Sequence, residues 1–430
     1  MDDPLVRIGL LGCGNVGAAF ANLVVDHADA VARRCGVRLE VAAIAVRDLS
    51  KERGVRLPAS VFTTDSAAVV ADPSIDLIVE VLGGLDPARR HIIDALGQGK
   101  PVVTANKELL AIDGDSLFHA AETAAVNLLF EAAVAGGIPL IRALRESLVG
   151  ERIDRVIGIV NGTTNYILTQ MTEHGTSYAD ALAEAQALGF AEADPTADVE
   201  GFDAGAKAAI IASIAFGARV VADDVFHEGI SAVSASDIEY AARRGFRIKL
   251  LAICEQFDDD AVSVRVHPAM LPIEHPLASV SGSFNAVFVE GTAVGELMFY
   301  GRGAGGQPTA SAVLGDVIDA AQHLVQGSHG SLGQLAEAKL RPRDELSSAF
   351  YLNLAVVDQP GVLASVAGVF ATHGVSIRLL EQDGLTDEAR IMFVTHLARE
   401  SALSATLAEL AALPVVRSVD SVLRVIDGAA

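Results

Sequence analysis

Residues 6–17 read Val6-Arg7-Ile8-Gly9-Leu10-Leu11-Gly12-Cys13-Gly14-Asn15-Val16-Gly17. The apolar run over residues 5–11 reads as a buried strand, and a helix is expected over residues 15–31, opening with Asn15 and Val16. Between them stands Gly-x-Gly-x-x-Gly, whose information lies in missing side chains. Gly12 permits a tight turn, and Gly14 lets backbone approach a pyrophosphate. Gly17 lets helix and strand pack closely, and the helix N-terminus faces the anion. A structural turn would use the same glycines without a ligand. The strand–turn–helix setting favours a dinucleotide site.

Working outward, further strands are expected at residues 39–46, 75–82, 101–105 and 127–133, with helices at 87–96 and 108–125. Alternation of this kind builds a parallel sheet with helices on both faces, here a Rossmann-type α/β nucleotide domain over residues 1–135. The pattern then changes at a Gly/Pro break, Gly136-Gly137-Ile138-Pro139. A helix at 140–148, a strand at 155–160, helices at 178–188 and 203–217 and strands at 247–255 and 262–267 follow. They suggest an α+β domain with a second, mixed sheet over residues 136–304, serving substrate binding and oligomerisation. A helix at 309–325 is expected to return to the first domain, as part of a segment at about 305–327. A linker is read at 328–347. The order strand, helix, strand, strand, helix, strand over 350–425 is the ferredoxin-like βαββαβ arrangement, giving a third domain over 348–430.

Composition bounds the partners. The 430 residues carry 55 Asp and Glu against 32 Lys and Arg, a net charge of −23, and this field repels nucleic acid and anionic lipid. Aromatics are 5% and Trp is absent, which removes stacking platforms for bases. Three cysteines without CxxC spacing, Cys13, Cys35 and Cys254, read as structural thiols. The histidines show no metal-ligand spacing, so no transition metal is expected. No apolar run reaches the length of about 18 residues that spans a bilayer, and no signal peptide is evident. A soluble, cytoplasmic protein is the expectation.

The second strand ends Val46-Arg47-Asp48. Arg47 suits a ribose 2′-phosphate, while Asp48 suits a 2′-hydroxyl, so NADP is favoured and NAD stays open. Thr104-Ala105-Asn106-Lys107 follows another strand, at the end where ligands bind in open α/β sheets. Taken alone, Lys107 would be a solvated charge. The densest chemistry lies in residues 185–207, AQALGFAEADPTADVEGFDAGAK. Asp203 and Lys207 are spaced i, i+4, acid before base, on one helical face. The bland reading is an acidic loop capped by an ordinary helix ion pair.

That stretch resembles the signature of the homoserine dehydrogenase family: Ala185, Gly189-Phe190-Ala191, Asp194-Pro195, Asp198, Gly201, Asp203 and Lys207, in register. Asn161-Gly162-Thr163-Thr164-Asn165 resembles its substrate-side loop. Gly301-Arg302-Gly303-Ala304-Gly305 with Pro308-Thr309 resembles its later glycine-rich segment. The likeness covers about residues 5–345. It implies NAD(P)-linked interconversion of L-aspartate 4-semialdehyde and L-homoserine by a monofunctional enzyme. It assigns Lys207 as general acid–base, Lys107 as a second lysine near the substrate and Asp203 as the carboxylate beside the catalytic lysine. Glu192 and Asp198 would contact or order the substrate ammonium, and Gly162 and Thr163 would offer backbone donors to its carboxylate. The implied cofactor set is Gly12, Gly14, Asn15, Val16, Gly17, Arg47, Thr104, Lys107 and Gly303. Glu131, Val134, Gly136 and Ile138 match a sodium loop built mainly of carbonyls, a stretch that is otherwise a simple turn between domains. Phe190 stands where some relatives carry tyrosine.

Asp358-Gln359-Pro360-Gly361-Val362, between a strand and a helix, resembles the ligand loop of ACT modules, which sense amino acids. Asp358, Gly361 and Val362 would form a regulatory site, with L-threonine as the implied inhibitor. The alternative is a module that only dimerises. The family also implies a homodimer or homotetramer. Two further readings are a non-catalytic sensor of dinucleotide and amino acid, and another ACT-linked dehydrogenase such as prephenate dehydrogenase. The paired lysines and acidic signature argue against the first. A scarcity of residues suited to a bulky dianionic ring argues against the second.

Overall fold

The computed structural model describes residues 3–331, 333, 335–385 and 388–426. Residues 1–2, two positions of the expected linker (332, 334) and parts of the expected third domain (386–387, 427–430) lie outside the described residues. The chain divides into two compact units. The first comprises Met1–Val156, Ala206–Val225 and Asn285–Ala338, and the second Ile157–Gly205, Phe226–Phe284 and Lys339–Ala430.

The first unit contains strands β1 (Leu5–Leu11), β2 (Arg38–Ala45), β3 (Phe62–Thr63), β4 (Leu77–Glu80), β5 (Val102–Thr104) and β6 (Leu128–Leu129). They form a parallel sheet in the order β3-β2-β1-β4-β5-β6, the doubly wound order of dinucleotide-binding folds. Helices α1 (Asn15–Cys35), α2 (Ser66–Ala71), α3 (Ala88–Gly97) and α4 (Lys107–Ala124) are the crossovers. Ile8, Leu10, Leu77 and Val79 are buried, as expected of strands covered on both faces. Helix α1 runs four residues past its expected end. Val31 and Ala32 are buried, Arg33 and Arg34 suit the negative end of the helix dipole, and Gly36 closes it in the left-handed region (φ 69°). The helix Gly306–Gln326 returns to this core, placing Ala310, Val313, Val317 and Ala321 with Phe20, Ala21 and Val24.

Three details of this sheet and its flanks differ from expectation. The strand read over 127–133 holds only at Leu128–Leu129, and Glu131–Ala133 is a 3-10 turn. There the Glu131 backbone N–H leaves the ladder to donate to Asp316 Oδ2 (2.8 Å). The pair β3–α2 was not anticipated, since two strand residues carry no period. The helix expected at 140–148 is in part a π-helical segment, Ala143–Ser147.

In the second unit, the helices Gly162–His174, Tyr178–Ala187 and Thr196–Val199 precede Phe202–Phe216, whose later residues belong to the first unit. The strands Phe246–Gln256 and Ala261–Pro272 form a long antiparallel pair. The βαββαβ module follows: Ser347–Val357, Val362–Thr372, Ile377–Leu385, Glu388–Thr395, Glu400–Ala412 and Val416–Val425. Its two helices close over Phe350, Leu352, Leu354, Val366, Phe370, Ile391 and Phe393. Its last strand also pairs in parallel with Ala261–Pro272, Ala269 opposite Arg424 and Met270 opposite Val425, so a backbone ladder joins the module to the substrate-side sheet. The helix Ala235–Arg243, not expected from sequence, sends Asp237 into contact with Tyr351, Asn353 and Ser421 of the module. No helix among the described residues is long and apolar enough to cross a membrane.

Candidate active site

In the first unit the glycine turn has the geometry that its spacing requires. Gly12 sits at φ +99°, and a Cβ there would lie 2.6 Å from the Val81 carbonyl oxygen. A Cβ on Gly17 would lie 2.3 Å from the Gly12 carbonyl oxygen, so helix and turn touch backbone to backbone. Gly14 faces open space, and no side chain caps the first turn of α1. The N–H groups of that turn are the usual donors to a phosphate. Asn15 is exposed beside them, and the Cys13 side chain is buried in the core.

A cavity of about 300 Å³ opens at the carboxyl ends of the strands. Val16 of α1, Val81 to Gly83 after β4, and Ala105 and Lys107 after β5 line it, as do Ala132, Ala133, Ala135 and Gly136 after β6. Lys207, Gly303, Ala304 and Thr309 complete the wall. Two lysines 100 positions apart in sequence thus reach the same cavity as the start of α1. Gly303 is glycine because the Asn285 amide occupies the space of a Cβ, 1.9 Å from its nitrogen. Gly136 (φ +54°) lies against the same segment, where a Cβ would meet the Gly303 carbonyl at 2.4 Å.

Glu80, which sequence reading passed over, organises this wall. It is fully buried at the end of β4. Its Oε2 accepts from the Thr104 hydroxyl (2.6 Å), and its Oε1 from the Leu82 N–H (2.7 Å) and the Gly83 N–H (3.3 Å). Burial pushes its carboxyl above the usual range, opposed by these donors. The Thr104 hydroxyl also accepts from the Asn106 N–H (3.1 Å), so that side chain is engaged inside the wall. The only signal in sequence was an acid closing the apolar run Leu77-Ile78-Val79.

At the end of β2, Arg47 and Asp48 are both exposed. Asp48 Oδ1 accepts from Ser50 N–H (2.8 Å) and Ser50 Oγ (2.7 Å), which hold its carboxyl below the usual range. The loop after β6 is tied through Glu131, whose carboxylate accepts from the N–H groups of Ile141 and Arg142, both at 2.8 Å. Asp316 accepts from Glu131 N–H and, at 3.3 Å, from Arg142. Burial raises Asp316 to about 7 and pushes Glu131 up as well.

The second unit gathers the acidic signature selectively. Asn161, almost fully buried, caps the helix Gly162–His174 with Oδ1 on the Thr164 N–H (2.9 Å). Its Nδ2 donates to Asp198 Oδ1 (2.7 Å) and Asp203 Oδ2 (2.9 Å). The stretch read as a loop is thus the first turn of a helix, and its cap is a residue given no role from sequence. The Thr163 hydroxyl donates to the Phe190 carbonyl (2.7 Å), leaving the Phe190 side chain to pack on Tyr166, ring centroids 5.0 Å apart. Glu192 is exposed, and Asp194 is held by Thr196 in its own turn. Of the acidic residues, Asp198 and Asp203 are brought together and Glu192 is not. On the helix Phe202–Phe216, Asp203 and Lys207 are one turn apart, each 8% exposed.

Three family models match the chain: homoserine dehydrogenase, NAD binding domain, over residues 12–131; homoserine dehydrogenase over 139–318; and the ACT domain over 350–415. A homoserine dehydrogenase of Corynebacterium glutamicum is 52% identical over 97% of this chain and 95% of its own. The chain belongs to the homoserine dehydrogenase family. A crystal structure of a homoserine dehydrogenase from Thiobacillus denitrificans matches with a TM-score of 0.93 at 40% identity, over 98% of each chain. A hyperthermophilic archaeal homoserine dehydrogenase in complex with NADPH matches with a TM-score of 0.63 at 31% identity, over 74% of this chain and 97% of that one. The protein is thus an oxidoreductase of the homoserine dehydrogenase type, with a nucleotide-binding domain and an ACT domain.

In the ACT domain, Gly361 is left-handed (φ +94°) at the start of Val362–Thr372, and no side chain caps that helix. The Val362 side chain lies in the module's core, so only its backbone faces the turn. Asp358 approaches Gly384, where a Cβ would stand 3.4 Å from its Oδ2.

Proposed function

We propose that Lys207 is the general acid–base in the reversible oxidation of L-homoserine to L-aspartate 4-semialdehyde, with NADP as the preferred hydride acceptor. The observation that carries this reading is the presence of Lys207 and Lys107 in one cavity with the uncapped start of α1. The nucleotide supplies or takes the hydride. As oxygen gains negative charge on reduction of the aldehyde, the Lys207 ammonium stabilises it and delivers a proton. In the other direction the neutral amine takes the hydroxyl proton. Asp203, one turn earlier, orients the lysine, and Lys107 adds a second positive charge. Glu192 and Asp198 serve the substrate ammonium, and the N–H groups of Gly162 and Thr163 its carboxylate.

The residues present fit the nucleotide. Gly12, Gly14, Asn15, Val16 and Gly17 form the pyrophosphate turn, Thr104 and Gly303 shape the wall, and Lys107 faces it. Arg47 is exposed at the ribose end, while Asp48 is drawn to Ser50, which favours a 2′-phosphate over a bare hydroxyl. A sodium ion at Glu131, Val134, Gly136 and Ile138 would rest on carbonyls, because the Glu131 carboxylate is taken by two N–H groups. The functional division we favour is a nucleotide domain at 1–135 with the return segment at about 305–327, a catalytic and oligomerisation domain at 136–304, a linker at 328–347 and a regulatory domain at 348–430. L-Threonine would act there through Asp358, Gly361 and Val362, as end-product control of threonine and methionine synthesis by a cytoplasmic homodimer or homotetramer.

The test is turnover of Lys207→Met, followed by nicotinamide absorbance with homoserine and each nucleotide, with and without threonine. The rate is expected to fall by about 10²–10⁴-fold while nucleotide binding by fluorescence is retained. Near-parental turnover would remove Lys207 from the chemistry.

A further inference from the structure

We infer that Asn161 is a positioning residue, one amide that holds Asp198 and Asp203 in register for catalysis. The inference rests on the reading of Lys207 and Asp203 given above. The Asn161 Nδ2 carries two hydrogens, and the geometry directs it at two carboxylates, Asp198 Oδ1 at 2.7 Å and Asp203 Oδ2 at 2.9 Å. The two acids come from different elements, the short helix Thr196–Val199 and the first turn of Phe202–Phe216. A neutral double donor shared by two carboxylates ties both to one nitrogen and so aligns them with each other.

The amide is itself fixed. Asn161 is 4% exposed, and its Oδ1 accepts from the Thr164 N–H (2.9 Å) and the Thr164 hydroxyl (3.0 Å). Those contacts settle the orientation of the amide, because an oxygen facing Thr164 N–H puts the nitrogen toward the acids. The helix it caps is anchored further along. Asn165 donates to the carbonyls of Gly282 (3.0 Å) and Phe284 (3.1 Å), and buried Lys249 donates to Asn165 Oδ1 (3.1 Å). The first turn of that helix therefore serves as a fixed mount, and Asn161 transmits its position to the helix that bears Lys207.

Asn161→Asp separates this role from capping, because the new carboxylate still accepts from Thr164 but cannot donate to either acid. We expect kcat/KM for homoserine to fall between about tenfold and a hundredfold, the loss of two charge-assisted hydrogen bonds, with most of it in kcat. Melting temperature should fall as well, because a new buried carboxylate then faces Asp198 and Asp203, while nucleotide affinity should stay near parental. Thr164→Val, which removes one of the two contacts on Oδ1 and leaves both amide donors, should cost kcat far less than Asn161→Asp does. Parental kinetics in Asn161→Asp, or equal losses of kcat and melting temperature in both variants, would overturn the inference. The Lys207→Met enzyme distinguishes the causes: if it is inactive while Asn161→Asp is not, the clamp alone fails, and if it is active, the underlying reading fails first.

Discussion

Asp316 shows what burial does to a single carboxylate. It is 3% exposed on the helix Gly306–Gln326, facing Glu131, Arg142 and Asp319, and burial raises it to about 7. A carboxyl raised on folding binds its proton more tightly in the native state. Its contribution to stability is therefore complete below about pH 4 and is lost as pH rises through about 7. The difference is on the order of 4 kcal/mol for a shift of this size. In Asp316→Asn the fall in melting temperature from pH 5 to pH 8 should be smaller than in the parent. It should not vanish, since Glu131 is shifted the same way. An unchanged slope would contradict the assignment. At this scale the sequence revealed residues whose chemistry is their own type at their own spacing: the glycines of the turn, and Lys207 four positions after Asp203. Asn161 and Glu80 were not legible, because beside their local bonds each holds a partner more than 20 positions away that only the fold supplies.

Among elements, most long strands with strong apolar periods were read within a few residues, but the strands Phe284–Gly291 and Gly295–Arg302 were not read at all. Short or polar-opening ones were not. The helix Gly162–His174 begins Gly-Thr-Thr-Asn, residues that compete with the backbone for hydrogen bonds and favour loops until a cap decides the matter. The helix Ala235–Arg243 did carry a signal, Ser234 with Asp237 three positions on, and both halves of that capping box form. The same Asp237, fully buried, accepts from Tyr351 (2.9 Å), Asn353 (3.2 Å) and Ser421 (2.7 Å). Asp237→Ala would leave three donors without their acceptor and remove a cap, a cost of about 3 kcal/mol or more. Urea denaturation should show that loss, with Asp223→Ala on the exposed turn as a near-neutral control.

For the molecule as a whole, the ACT module is not a bead on a string. Arg424 of its last strand is 4% exposed and donates to Glu400 within the module (2.6 Å) and to Glu228 outside it (2.6 Å). A chain ending at residue 338 would strand Glu228 and bare the edge of Ala261–Pro272. Light scattering should find it aggregating where the full chain stays dispersed. The parallel ladder at Ala269 and Met270 has a wider meaning. A seam sewn in main chain is indifferent to most side chains, so the ACT module is free to change its sequence away from Arg424 while the stitching holds. Whoever grafts a foreign module onto this enzyme must bring a terminal strand that fits the same seam.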